Sequence, residues 1–138
     1  MHKWAAKRLK LRNVQWHGIA SREELSRLLN ESTIMCHPSF EESQGLSLIE
    51  AMALEIPTIS GEKSGGNVET VGGAGILVDV RNPVLIANAI NILLEDTKLQ
   101  SRLSSLGRKR YTETFEPSRI IPQYELQYEK ILLKWNNQ

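Results

Sequence analysis

Four short apolar runs in this chain are each followed by a stretch with helical character, and that alternation leaves few folds open. The runs are Val14 to His17, Thr33 to His37, Pro57 to Ser60 and Gly75 to Val78. Strands that alternate with helices pair in parallel, and a parallel sheet needs both faces covered, so the pattern predicts an α/β fold built from βα units. The punctuation agrees. Ser21-Arg-Glu-Glu24 has the spacing of a capping box and opens the helix after the first run. Asn82-Pro83 places a capping side chain and a first-turn proline before the apolar helix Val84 to Leu94. In that helix Val84, Leu85, Ala89, Ile90 and Leu93 form the stripe expected to pack on the sheet. No strand follows. Asp96 begins a long helix reaching Thr112, and Pro117 opens a last one reaching Trp135.

At 138 residues the chain has material for one domain. A net charge of +1 gives no global attraction to nucleic acid or to a membrane, and no nucleic-acid partner is expected. The single cysteine, Cys36, excludes a disulfide framework and points to a reducing compartment. No signal-peptide pattern and no apolar run long enough for a membrane span occurs. Basic residues do cluster at the start, where Lys3, Lys7, Arg8, Lys10 and Arg12 surround Trp4. An amphipathic helix on anionic lipid would look like this, but so would a solvated surface helix, which is the plainer reading. The same holds for Gly107-Arg-Lys-Arg-Tyr111.

The stretch Pro38-Ser-Phe-Glu-Glu-Ser-Gln-Gly-Leu-Ser-Leu-Ile-Glu50 carries the chemistry. A polar loop runs into a helix whose first turn is Gly45-Leu46-Ser47, with Glu42 before it and Glu50 inside it. First-turn N–H groups have no partner within a helix, and they sit at the positive end of its dipole, which together favour an anion. Gly45 has no Cβ to hold a ligand away from the backbone. Glu50 lies roughly 6 Å farther along the axis, at about 1.5 Å per residue, and leans back toward the N-terminus. That reach suits a ribose attached to a diphosphate, whose hydroxyls a carboxylate accepts. Glu42 would repel the phosphates and suits hydroxyls beyond them. The arrangement therefore reads as a cradle for ribose, diphosphate and hexose; the bland alternative is a helix with two solvated acids.

These residues resemble the donor-site motif of group 1 (family 4) glycosyltransferases of the GT-B fold, an E-x7-E pair followed by Ala51-Met-Ala53 and Pro57. The resemblance extends to Val14-Gln-Trp-His-Gly18 with Glu24-Leu25, to the turn Gly65-Gly66-Asn67-Val68-Glu69, and to the strand Gly75-Ile-Leu-Val78, covering about residues 11 to 135. It implies an incomplete Rossmann-like domain, the C-terminal one of the GT-B pair, with about four parallel strands flanked by helices and two C-terminal helices. It implies that Glu50 binds the ribose and that Glu42 contacts the donor sugar as the catalytic carboxylate. Gly45, Leu46 and Ser47, with Gln44, hold the diphosphate. Gly18 and Ile19 lie near the base, and Gly65 and Gly66 line the donor cleft. The reaction implied is transfer of a hexose from a nucleotide-diphosphate sugar, with retention at the anomeric carbon and no metal or other cofactor, to an acceptor such as a polysaccharide, lipid-linked sugar or glycan.

Two departures stand out. The family commonly has glycine where this chain has Glu55; a left-handed helix end there would strain Glu55 by roughly 1 kcal/mol. The larger one precedes residue 11. Family members carry an N-terminal acceptor domain and two further strands of the donor domain, with an Arg and a Lys that clamp the diphosphate. Residues 1–138 therefore resemble part of a donor domain, and Lys3 and Lys7 do not replace the clamp. In the family's strand order, 3-2-1-4-5-6, strands 1 and 2 would be absent, leaving an open sheet edge and a route to self-association. Losing two charge-assisted contacts of about 1.5–3 kcal/mol each weakens donor binding by roughly 10² to 10⁴. The isolated chain is expected to be inactive.

Cys36-His37 offers no metal or nucleophile site, because neighbouring strand residues face opposite ways. Gly72-Gly-Ala-Gly75 lacks the lysine of a phosphate loop and reads as a turn. A sugar-nucleotide epimerase or phosphorylase of the same fold fits the glutamate pair poorly. A non-catalytic nucleotide-sugar-binding or interaction module is the alternative to an enzyme fragment. A cytoplasmic protein is expected, peripheral to a membrane where the acceptor is lipid-linked.

Overall fold

The computed structural model describes residues 11–136. The basic run from Lys3 to Lys10 lies outside the described residues. Three strands, β1 (Met35–His37), β2 (Thr58–Gly61) and β3 (Gly75–Val78), form a parallel sheet in the order β1-β2-β3. The register pairs Met35 with Thr58 and His37 with Ser60, then Thr58 with Gly75 and Gly61 with Val78. The helices are α1 (Arg22–Asn30), α2 (Leu46–Ala53), α3 (Gly66–Val71), α4 (Pro83–Glu95), α5 (Thr97–Arg110) and α6 (Pro117–Asn136). A π-helical turn, Tyr111–Phe115, joins the last two.

Alternation along the strands divides the core into two layers. Met35 and Leu77 pack with Leu48, Met52, Val71 and Ala74 under α2 and α3. Cys36, Ile59, Ile76 and Val78 point the other way, against Ala89 and Leu93 of α4 and Leu103 of α5. Burial there pushes the Cys36 thiol pKa up from its ordinary value. A smaller cluster of Leu29, Ala51 and Ile56 seats α1 on α2.

The expected caps form. Ser21 Oγ accepts from Glu24 N–H at 3.2 Å, although the Glu24 carboxylate reaches His17 Nδ1 at 3.3 Å instead of returning to the cap. The N–H of Glu23 itself and the Ser21 hydroxyl hold the Glu23 carboxyl below its usual range. Asn82 Oδ1 accepts from Val84 N–H at 3.0 Å, and Asp96 Oδ1 from Leu99 N–H at 2.9 Å.

Three expectations need correction. Val14 to His17 is exposed and is not a strand, so the sheet has three strands among the described residues rather than about four. In the order implied by the resemblance, two strands separate that run from β1, and a strand-like composition forms no ladder without a neighbour to bond to. The second strand begins at Met35 rather than Thr33. On α4, Val84 and Leu85 are 62% and 42% exposed; the protected positions are Ile86, Ala89, Ile90 and Leu93, so the buried stripe starts at Ile86.

Arg108 and Arg110, within the basic run expected to be mere surface, bind backbone instead. Arg108 donates to Ala53 O at the end of α2. Arg110 donates to Thr70 O at 2.6 Å and to Glu69 O, closing the C-terminus of α3, and lies over the Phe115 ring. Its guanidinium also covers Gly72, where a Cβ would overlap it.

Candidate donor site

The site is assembled at the C-terminal ends of the parallel strands, where the loop from β1 enters α2. Gly45 caps α2 with φ +65°, a left-handed conformation that favours glycine, and no side chain caps that end. No acidic residue lies in the first turn of α2. The space where a Cβ would stand at Gly45 is taken by Asn67 Oδ1, so this glycine, itself buried, answers to packing beneath the loop. Leu46, at the first helical position, is exposed, and Ser47 is half-buried.

The loop is fixed by α3 and the turn before it. Gly66 N–H donates to Glu42 O at 2.9 Å. Ser64 Oγ donates to Ser39 O, and Thr70 Oγ1 to Gln44 O. A Cβ on Gly65 would come within 2.6 Å of Glu42 O, and one on Gly66 would overlap Ser43 O. The Gly65-Gly66 pair therefore lets two backbones approach, and it positions Glu42 rather than leaving a gap.

The two glutamates face different surroundings. Glu50 opens into a cleft of about 420 Å³ between α1 and α2, with Arg22 and Leu25 on the opposite wall. Glu42 turns to His37, whose Nε2 lies 3.2 Å from Glu42 Oε1. The other ring nitrogen, Nδ1, lies 3.2 Å from Ser47 Oγ. Gly18 (φ +71°) and the fully exposed Ile19 lie on the loop that leads into α1 and its Arg22. Gly45, Gln44, Ser47, Glu42, Gly65 and Gly66 thus converge through contacts, whereas Glu50 flanks them from the α1 side.

Sequence reasoning missed His37, Asn67 and Arg22. His37 had been paired only with Cys36, and the strand indeed turns those two to opposite faces. The signal that would have found it is positional: the last residue of a strand and the second residue of the following helix sit side by side when the loop folds back.

A glycine-capped helix N-terminus at the carboxyl edge of a parallel sheet is the arrangement of a Rossmann-like α/β class of domain. The chain belongs to the glycosyl transferases group 1 family, whose model matches residues 1–110. It is 33% identical over 116 residues to N-acetyl-alpha-D-glucosaminyl L-malate synthase of Bacillus anthracis, a match covering 83% of this chain and 30% of that protein. It is 31% identical over 105 residues to the capsular polysaccharide biosynthesis glycosyltransferase CapM of Staphylococcus aureus, covering 75% of this chain and 27% of that one. The structure resembles sucrose-phosphate synthase of Thermosynechococcus elongatus, with a TM-score of 0.89 and 28% identity over 96% of this chain and 34% of that one. The Anabaena protein HepE, solved in complex with UDP and glucose, shares the fold with a TM-score of 0.84 at 24% identity, over 93% of this chain and 35% of that one. The chain spans about a third or less of each of these relatives.

Proposed function

We propose that this chain forms the donor-binding wall of a retaining glycosyltransferase that uses a nucleotide-diphosphate sugar. The diphosphate lies against the first turn of α2, on the backbone of Gly45, Leu46 and Ser47 beside Gln44. The ribose hydroxyls are accepted by Glu50, from the cleft that α2 shares with α1, and the base rests toward Gly18 and Ile19. The hexose lies on the other side, where Glu42 is the acid nearest the reacting carbon and the Gly65-Gly66 turn closes the site behind it. No metal is required, because the helix dipole and N–H groups meet the phosphate charge. The observation that carries this reading is the uncapped, acid-free first turn of α2 with a carboxylate on each side. HepE, a relative in fold, was solved with UDP and glucose, which supports a donor of that class.

Calorimetric titration of the 138-residue chain with UDP, GDP and ADP tests the assignment. One nucleotide is expected to bind, and Glu50→Ala is expected to weaken it by about 10-fold or more, the loss of hydrogen bonds to an ionised acceptor. Binding that is equal in the variant would remove Glu50 from the ribose. Sugar transfer by the chain alone is not expected, since it spans about a third of its relatives, and measurable transfer would refute that part.

A further inference from the structure

Resting on that reading, we infer that His37 is a positioning residue that couples the sugar-side carboxylate, Glu42, to the phosphate-side hydroxyl, Ser47. The imidazole bridges them, with Nε2 at 3.2 Å from Glu42 Oε1 and Nδ1 at 3.2 Å from Ser47 Oγ. Its own backbone is held from below: Ser60 Oγ donates to His37 O at 3.3 Å, and the buried Asn67 donates to Ser60 Oγ at 3.1 Å. Glu42 is held by Gly66 N–H on its carbonyl. The backbones of His37 and Glu42 are thus each held by a hydrogen bond to a carbonyl.

Hydrogen-bond inventory then determines the protons. An ionised carboxylate only accepts, so Nε2 carries the proton shared with Glu42. In neutral His37 the Nδ1 must accept, and Ser47 O–H donates to it. Ser47 is then spent as a donor and offers a diphosphate only its backbone N–H. When His37 is protonated, Nδ1–H donates to Ser47 Oγ instead. The Ser47 hydroxyl proton is freed to turn toward an anion at the first turn of α2, and a positive charge stands behind it. Of the elements around the ring, β2 (Thr58, Ile59, Ser60, Gly61) has no ionisable side chain, α2 carries only Glu50, which opens into the α1 cleft, and the loop carries Glu41 and Glu42. Glu42 is the ring's carboxylate contact, at 3.2 Å.

Two measurements test the coupling. In the nucleotide-free chain, long-range ¹H–¹⁵N spectra should show His37 protonated at Nε2, with the Nδ1 resonance shifting in Ser47→Ala. In titrations with UDP, affinity should rise by about tenfold as pH falls through the range where histidines take up a proton, relative to His37→Gln. That variant keeps a donor for Glu42 and cannot titrate, and it sees the same protonation of UDP itself. Ser47→Ala should flatten the same difference without altering the strand. An Nδ1-protonated ring, or identical pH profiles in the chain and in His37→Gln, overturns the coupling while leaving the donor site standing. Absence of binding by UDP, GDP and ADP alike overturns the donor-site reading, and the coupling falls with it; where GDP or ADP is the nucleotide that binds, the same titrations are made with it.

Discussion

Replacing Glu55 by glycine should stabilise this protein. Helix α2 ends in a Schellman motif: Ile56 N–H reaches Ala51 O at 2.9 Å, Glu55 N–H reaches Met52 O at 3.2 Å, and Ile56 packs with Ala51. The residue that makes the turn, Glu55, has φ +59°, and it is the non-glycine residue with positive φ among those described. A side chain there costs about 1–2 kcal/mol. Glycine removes that strain but adds about 0.4–1 kcal/mol of unfolded-state freedom. At the middle of these ranges the net expected gain is about 0.8 kcal/mol, which at a urea slope of about 1–3 kcal/mol per M moves the midpoint upward by roughly 0.3–0.8 M. Urea unfolding followed by circular dichroism measures it. Glu55→Gln is the necessary partner, because it removes the charge from the negative end of the helix and keeps the Cβ. If Gln gains as much as Gly, the benefit belongs to the charge and the strain argument is wrong. If Gly loses stability, the unfolded-state term outweighs the strain and the magnitude is wrong.

Gly45→Ala should be far worse than Gly73→Ala. Both positions have positive φ, but a Cβ at Gly45 would overlap Asn67 Oδ1 whereas Gly73 faces open space. The expected losses are about 2–5 kcal/mol against about 1–2 in the same urea assay, and equal losses would mean that Asn67 moves aside freely. Arg110→Met keeps an unbranched apolar side chain but removes both hydrogen bonds to the end of α3 and the guanidinium over the Phe115 ring. It should cost about 1–3 kcal/mol; no change in the unfolding midpoint would return Arg110 to the role of a surface charge.

The βα alternation was legible because local pattern sets it. The runs that became β1 and β3 carry apolar side chains on both faces, as strands between two helical layers do, β2 has Ile59 on one face and buried Thr58 and Ser60 on the other, and Ser21, Asn82 and Asp96 marked the helix starts through their own side chains. Val14 to His17 carries the same kind of composition and failed as a strand, since a ladder is a property of two segments and the run reports only one of them. The α4 stripe failed in a related way. Periodicity gives the direction in which Val84 and Leu85 point, but the extent of burial depends on how far the sheet reaches beneath the helix, which no local pattern encodes.

The glutamate pair was visible for the opposite reason. Glu42 and Glu50 bracket one helix start, and chain spacing along that helix places Glu50 on α2. It was a poor guide to Glu42, whose setting is made by residues distant in sequence: Gly66 on its carbonyl, His37 on its carboxylate, and behind His37 the chain Ser60 to Asn67. A carboxylate already engaged by an imidazole differs from a free one. Its orientation is set within the fold, one oxygen is partly occupied, and the ring that engages it also touches Ser47. Two acids that bracket one helix start therefore have different surroundings in the fold: Glu50 stands at an open cleft with Arg22 on its other wall, while Glu42 belongs to a network that reaches Ser47 in the first turn of α2.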